Sequence, residues 1–186
     1  EVNLKEHIKE VEKIMLENGK YGEYTDLYDE NKKVTGEKIY KGENIPPNRY
    51  ILVVTLFIKN SYNQLLLQKR SKQKGGKYGF ISGHPKSGET SLQAVIIEAK
   101  EEMNIDIKNE KVQVFHTEKG KNAFYDFYYL EKDIDIHKLT LQKEEVQETK
   151  WMTIEEIEQL INVGGFFENH IEAVEIIKEF ILKSKK

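Results

Sequence analysis

Three glutamates stand close together near the middle of the chain, at Glu98, Glu101 and Glu102. In an α-helix, residues three and four positions apart fall within an arc of about 100°, so these carboxylates would share one patch of the helix surface. Adjacent carboxylates repel each other unless a cation lies on them. Oxygen ligands suit hard divalent ions such as Mg²⁺ or Mn²⁺. The spacing therefore predicts a metal site and metal-assisted chemistry on a phosphate-containing substrate, and the alternative is a solvated acidic face.

The surrounding residues predict that these glutamates lie on a packed helix that follows a strand and a loop. Thr90 and Gln93 have the spacing of a capping box, which places the helix start near Thr90. Residues 78–82 indicate a strand, and the glycines and proline of residues 83–88 indicate a turning loop. A separate apolar face would pack the helix against the domain, formed by Leu92, Val95, Ile96, Ala99 and Met103. A loop that leads into such a helix can add backbone oxygens to a metal site.

The whole segment resembles the signature of the Nudix hydrolases, G-x5-E-x7-R-E-U-x-E-E-x-G-U, in which U is aliphatic. The matching residues are Gly83, Glu89, Glu98, Glu101, Glu102 and Ile105, with Ala99 at the first aliphatic position. Two positions differ, because Ile97 replaces the arginine of the signature and Asn104 replaces its second glycine. The resemblance implies an α/β/α sandwich with a mixed sheet, an α+β arrangement.

The two differences have different expected consequences. Asn104 tolerates the left-handed conformation that ends a helix, so it can stand in for glycine. In the family the arginine orients the glutamates, and the aliphatic side chain of Ile97 cannot donate a hydrogen bond. The resemblance therefore implies weak hydrolysis with a high metal requirement, or a module that binds without catalysis.

A wider resemblance covers residues 24–160, which look like the Nudix subgroup related to isopentenyl-diphosphate isomerase. The matching segments follow in the same order: a polar turn and glycine at 26–36, an apolar strand at 51–58, the sequence Leu-Leu-Gln-Lys-Arg-Ser at 66–71, and an acidic segment ending at Trp151. An allylic diphosphate isomerase is nevertheless disfavoured, because such enzymes use an active-site cysteine and the chain has none.

The resemblance also assigns roles to particular residues. Glu98, Glu101 and Glu102 would hold Mg²⁺ or Mn²⁺ together with the carbonyl oxygen of Gly83, and would be catalytic. Glu89 would be a structural member of the motif.

Three residues outside the glutamate helix are further candidates. Glu145 would be a remote catalytic residue that reaches the metal from a loop, with a surface charge as the alternative. Arg70 would bind substrate phosphate, since guanidinium binds phosphate through two hydrogen bonds, with a solvated surface charge as the alternative. The lysines around Arg70 are interpreted as a solvated loop. His84 is either a metal ligand, as in the isomerase relatives, or a polar loop residue.

Composition and periodicity predict one main domain with a short extension. The chain has 186 residues, of which 38% are hydrophobic, so it can bury a sizeable core. Residues 1–22 are predicted as an N-terminal helical extension, with a helix at 3–18 that packs on the domain or forms a homodimer interface. Residues 23–186 are predicted as the Nudix-type domain, with closing helices at 154–163 and 168–182.

Charge and hydropathy narrow the set of partners. The net charge of −3 gives no indication of nucleic-acid binding. The longest apolar run, residues 51–58, is too short to cross a bilayer, and no signal-like start is present, so a cytoplasmic location without membrane partners is expected. The sequence thus predicts a metal-dependent hydrolase of a nucleoside diphosphate derivative, and the alternative is a non-catalytic Nudix module that binds a nucleotide or a partner protein.

Overall fold

The computed structural model describes residues 24–186. The predicted helix at residues 3–18 and the extension that contains it lie outside the described residues, so both stay predictions. In residues 24–186, no helix is long and apolar enough to cross a membrane.

The strands and helices follow the order that periodicity predicts. The strands are β1 (Tyr24–Tyr28), β2 (Val34–Tyr40), β3 (Ile51–Lys59), β4 (Leu65–Arg70), β5 (Tyr78–Gly79), β6 (Ile81–Gly83), β7 (Gln113–Lys119), β8 (Ala123–Glu131) and β9 (Val146–Met152). The α-helices are α1 (Ser91–Met103), α2 (Ile154–Asn162) and α3 (Ile171–Ser184). Short 3₁₀ turns lie at Lys72–Lys74, Ile136–Lys138 and Glu168–His170.

Most strands form one mixed sheet. Its order is β5–β4–β3–β8–β7, with β6 also paired to β3 and β9 also paired to β4. The pair β3–β8 is parallel and the other pairs are antiparallel. Strands β1 and β2 form a separate antiparallel hairpin.

Side chains alternate between two cores, one on each face of the sheet. On β3, Val54 and Leu56 point to the core that includes α1, whereas Phe57 points to the core that includes α2 and α3. The helices therefore cover both faces of the sheet, which confirms the predicted α/β/α sandwich with a mixed sheet.

The strand predicted at residues 78–82 is two strands. β5 pairs with β4, whereas β6 pairs with β3. The chain crosses from one neighbour to the other at Phe80, because β3 and β4 pair only near their shared turn, at Lys59 and Leu65. Phe80, Ser82 and Gly83, at and after this crossing, line a cleft.

The hairpin β1–β2 holds the loop that precedes α1. The Thr25 hydroxyl donates to the carbonyl oxygen of Pro85 at 3.0 Å. The carboxylate of Asp26 accepts from the Ser87 hydroxyl at 2.6 Å and from the Gly88 N–H at 2.9 Å. The loop between β6 and α1 is therefore fixed from outside the main sheet.

Candidate active site

Helix α1 begins and ends as the sequence predicts. The Thr90 hydroxyl accepts from the Gln93 N–H at 3.1 Å, and the Gln93 side chain accepts from the Thr90 N–H at 2.9 Å, which completes the capping box. At the other end Asn104 adopts a left-handed conformation with φ 56°. The predicted apolar face is wrong at one position. Leu92 is 44% exposed, because the buried part of the helix begins only at Ala94.

Glu98 lies directly against the loop before the helix. A Cβ atom at Gly83 would fall 2.4 Å from both Cδ and Oε1 of Glu98. Only glycine leaves room for this carboxylate, so the first residue of the signature shapes the space around its central glutamate. Burial raises the pKa of Glu98 well above its usual range, and repulsion from Glu102 and Glu101 raises it further.

Glu102 is buried next to Glu98 and is only 7% exposed. Its Oε2 atom has no hydrogen-bond partner within residues 24–186. Burial raises the pKa of Glu102, whereas a hydrogen bond from the side chain of Gln68 lowers it. A buried carboxylate oxygen without a partner is costly, and a bound cation would compensate for it.

Glu101 is more exposed than these two residues. Its side chain is 49% exposed, and Oε1 lies 3.6 Å from Nζ of Lys86. The predicted single patch therefore consists of two inward carboxylates and one outward carboxylate at the rim of the same cleft.

Glu145 reaches the cleft from a distant part of the sequence. The Ser71 N–H donates to its backbone oxygen at 2.9 Å, and its side chain forms an ion pair with Lys74. Its charge contributes to the raised pKa of Glu102. The prediction of a solvated lysine loop is wrong at Lys74, because this ammonium group is half-buried and paired with a candidate catalytic residue.

Arg70 lies in the same cleft. Its guanidinium carbon is 3.7 Å from the centre of the Phe167 ring. No hydrogen bond or ion pair of this side chain is found within residues 24–186. Glu168 also lines the cleft, and its pKa is lowered mainly by Lys77 and to a smaller extent by the charge of Arg70. The five N–H donors of the guanidinium suit an anionic ligand.

Glu89 and His84 lie in the loop before α1. The carboxylate of Glu89 accepts from the Lys86 N–H at 2.8 Å, a contact that fits its predicted structural role. His84 lines the cleft, where desolvation and, to a smaller extent, the charge of Lys41 lower its pKa. A neutral imidazole in this position can accept a hydrogen bond or bind a metal.

The cleft has a volume of about 1260 Å³. Its floor includes Val53, Thr55 and Phe127 from the sheet, and Phe167 and His170 lie on the side of α3. The glutamates, Arg70 and Glu145 all line this one cleft. The tertiary structure thus brings together every residue that the sequence nominated for metal binding, catalysis and substrate binding.

The residues present fit a divalent cation in their chemistry, although they do not form a complete cage. Within residues 24–186, no three acidic or histidine side chains are gathered in a group that could hold a metal ion. The unpartnered Oε2 of Glu102 and the space that Gly83 leaves beside Glu98 are nevertheless the features expected of a hard-cation site. A bound cation would need further oxygens besides carboxylates.

Sequence reasoning missed Gln68, which is 6% exposed and lies beside Glu102. The signal was present in the chain, because a polar residue follows three consecutive leucines in a strand that is otherwise buried. Buried polar residues in apolar strands are uncommon and are often functional.

A helix that bears buried glutamates, beside a cleft in a mixed sheet with helices on both faces, is the arrangement of Nudix-type domains. The chain belongs to the Nudix family, since the family model of the NUDIX domain matches residues 49–172. An uncharacterised Nudix hydrolase of Listeria monocytogenes is 39% identical over 148 residues, which cover 76% of this chain and 86% of that protein.

Solved structures show the same fold at lower identity. The Deinococcus radiodurans protein DR0079 has a TM-score of 0.70 and 24% identity, with coverage of 82% of this chain and 98% of that one. The Nudix domain of Shewanella oneidensis NrtR in complex with ADP ribose has a TM-score of 0.56 and 16% identity, with coverage of 71% and 88%. At these identities the likeness concerns the fold alone.

Proposed function

We propose that this protein is a metal-dependent hydrolase that cleaves the diphosphate linkage of a nucleoside diphosphate derivative. The observation that carries the proposal is the placement of buried Glu102 and half-buried Glu98 in the same cleft as the guanidinium of Arg70. A diphosphate is negatively charged along its length, so it can contact both the Arg70 guanidinium and a cation held by the glutamates in the same cleft. Membership of a family of named hydrolases supports the same conclusion.

Each residue then has a distinct role. Glu98 and Glu102, with the Gly83 carbonyl, would hold the metal, and Glu101 would contribute from the rim. Mg²⁺ or Mn²⁺, when bound, neutralises diphosphate oxygens and makes a water molecule more acidic. Arg70, held against Phe167, would bind and orient a phosphate group through its N–H donors.

A general base completes the proposed reaction. Glu145 is the candidate, because it lines the cleft and lies close enough to Glu102 to affect its pKa. In this role its carboxylate would accept the proton of the attacking water. Its ion pair with Lys74 must open or shift for the carboxylate to do so.

Turnover of ADP-ribose and other nucleoside diphosphate derivatives with Mg²⁺, followed by chromatography of the products, tests this function. The ADP ribose complex of the NrtR domain makes that compound a reasonable first substrate. Glu98→Gln and Glu102→Gln should each lower kcat/KM by ~100-fold or more, since even residues that only orient metal ligands typically contribute 10–100-fold. Turnover close to that of wild type in either variant would place the cleavage elsewhere.

A matched pair of variants tests the role of Glu145. Glu145→Gln should lower kcat strongly, because the amide cannot accept the proton. Glu144→Gln removes the neighbouring charge on an exposed side chain outside the cleft and should have little effect. Equal losses in the two variants would point to a general effect of charge and would contradict the assignment.

A non-catalytic Nudix module that binds a nucleotide or a partner protein is the second candidate. Ile97 favours it, because this half-buried side chain belongs to neither core and cannot hold the glutamates by hydrogen bonds. Ile97→Arg should raise turnover or lower the Mg²⁺ concentration required. If wild type binds ADP-ribose without cleaving any diphosphate, and Ile97→Arg restores no cleavage, the binding module replaces the hydrolase.

Some predictions from the sequence remain untested. They are the resemblance to the isomerase subgroup, a homodimer through the N-terminal helix, and a cytoplasmic location. The absence of cysteine continues to disfavour isomerase chemistry.

A further inference from the structure

Gln68 occupies a position where an apolar side chain would be expected. It follows Leu65, Leu66 and Leu67 on β4, and all four residues are buried. Only 6% of Gln68 is exposed, so its amide group depends on the protein for hydrogen bonds.

The protein satisfies this amide poorly. Its nitrogen donates to the backbone oxygen of Phe80 at 3.5 Å, which is the outer limit of a hydrogen bond. Its oxygen, Oε1, is buried and has no hydrogen-bond partner in the part of the chain that the structure describes. The opposite orientation of the amide would bring Oε1 towards the Phe80 oxygen, and two acceptors would then repel each other. The amide oxygen is therefore unsatisfied in either arrangement.

A second unsatisfied acceptor belongs to the neighbouring side chain. Oε2 of Glu102 is also buried and has no partner among the described residues, and the Gln68 side chain is a hydrogen-bonding neighbour of this carboxylate. Two neighbouring side chains thus each carry a buried acceptor oxygen that no described residue satisfies, and a donor or a cation in the cleft would satisfy both. Both side chains line the cleft, so a ligand in the cleft can reach them.

Packing does not explain the glutamine. A leucine or methionine would fill similar space without any unsatisfied oxygen, and the three preceding residues on the strand are leucines. A local arrangement that lowers stability without an evident structural gain is typical of a functional position.

We propose that Gln68 is a positioning residue of the metal site, whose Oε1 accepts a hydrogen bond from a water molecule that hydrates the divalent cation bound by Glu102. Mg²⁺ retains several of its water molecules in proteins, and each of them can donate to nearby oxygens. Gln68 thereby supplies a neutral oxygen from a neighbouring strand. This oxygen adds to the metal site, because the carboxylates alone do not form a complete set of ligands. This inference rests on the metal dependence of the proposed function.

Gln68→Met tests the proposal, because methionine has a similar length and lacks both the amide oxygen and the amide nitrogen. In EDTA, the variant should unfold no more than ~2 °C below wild type, or at a higher temperature, because an unsatisfied acceptor is removed. Calorimetry with Mg²⁺ and Mn²⁺ alone should show an affinity lower by ~10-fold or more. A lower metal affinity without a lower unfolding temperature would show that the amide acts on the metal site and not on the stability of the fold.

Gln68→Glu should give the opposite pattern. A third buried carboxylate beside Glu102 should lower the unfolding temperature in EDTA, and it should maintain or raise the affinity for Mn²⁺. Gln147→Leu, at an exposed position on β9 outside the cleft, is the control for loss of a strand glutamine. It should change neither the affinity for Mg²⁺ nor the affinity for Mn²⁺, and so should leave the ratio of the two affinities unchanged.

The outcomes separate this inference from the proposed function. If wild type binds the ions and Gln68→Met binds them equally well, the inference is wrong and the metal site stands. If Gln68→Met unfolds several degrees lower in EDTA, the glutamine is structural and the inference is likewise wrong. If wild type binds neither ion, both the inference and the metal-dependent function fail.

Discussion

At the scale of single residues, Gly83 and Glu98 occupy adjoining space. The backbone of Gly83 is in a region that other residues also adopt, so the glycine is required by the nearby carboxylate and not by its own conformation. A methyl group at this position would displace the end of the Glu98 side chain, whereas the surrounding backbone would be unaffected. The glycine and the central glutamate of the signature are therefore linked by a steric contact in this protein, because the first leaves space for the side chain of the second.

Gly83→Ala provides the test at this scale. The added Cβ should lower the free energy of unfolding by roughly 1 kcal/mol or more through overpacking, and it should weaken Mg²⁺ binding because Glu98 is displaced. Urea unfolding and calorimetry measure the two effects. In a Glu98→Ala background the clash is absent, so the alanine at position 83 should no longer be destabilising. An undiminished cost in that background would show that another contact is responsible.

At the scale of elements, the connection between α2 and α3 forms one side of the cleft. The Phe167 N–H donates to the Tyr78 oxygen at 2.8 Å, and the Tyr78 N–H donates to the Gly165 oxygen at 3.0 Å. Nδ1 of His170 accepts from the Phe80 N–H at 3.1 Å. These bonds attach the connection to β5 and to the neighbouring Phe80, and the Phe167 ring in this connection lies against the Arg70 guanidinium.

His170 makes this connection sensitive to acid. Burial, with a smaller contribution from the charge of Arg70, lowers the pKa of His170 to about 4. Protonation of Nδ1 would also break its bond with the Phe80 N–H. At pH values between the ordinary histidine pKa of about 6.5 and the lower pKa in the folded protein, His170 is protonated in the unfolded chain and neutral in the folded protein. Stability should therefore fall as the pH is lowered through this range, by about 3 kcal/mol at most.

His170→Asn tests this pH dependence, because an asparagine oxygen can accept the same hydrogen bond without titrating. Urea unfolding at several pH values between 4 and 7 should show a flatter slope for the variant than for wild type. His137→Asn, on an exposed residue, is the control for loss of a histidine. If wild type and His170→Asn lose stability in parallel, other groups account for the acid sensitivity.

At the scale of the whole molecule, a buried carboxylate joins parts that are far apart in the sequence. Asp126 on β8 is 3% exposed. It accepts from Lys32 of the hairpin at 2.5 Å, from the Ser91 hydroxyl at 2.6 Å and from the Thr117 hydroxyl at 2.8 Å. The β1–β2 hairpin, the start of α1 and strand β7 therefore meet at one side chain. Because Ser91 begins the glutamate helix, this network also contributes to the position of the site.

Asp126→Asn should destabilise the protein by about 2 kcal/mol or more, because three part-buried donors lose the buried charged acceptor that they share. Lys32→Met removes only the ammonium group, and the two hydroxyl donors remain. Since both changes disrupt one network, the double variant should cost less than the sum of the single variants. Additive free energies in urea unfolding would show that Lys32 and Asp126 act independently.

The sequence by itself determined most of the local structure. Hydrophobic alternation located the main strands, and the capping pair Thr90 and Gln93 located the start of α1. The spacing of Gly83 and the glutamates indicated the family before any geometry was known. These features depend on residues near one another in the chain, where period and turn chemistry are sufficient.

Only the tertiary structure decided which side chains share the cleft and how buried each one is. It separated Glu101 from its two neighbours, paired Lys74 with Glu145, and placed Gln68 beside Glu102. It also divided the strand at residues 78–82 between two partners. These outcomes depend on strand pairing and on contacts between residues tens of positions apart, and the periodicity of a single segment carries no information about which distant segment will pack against it.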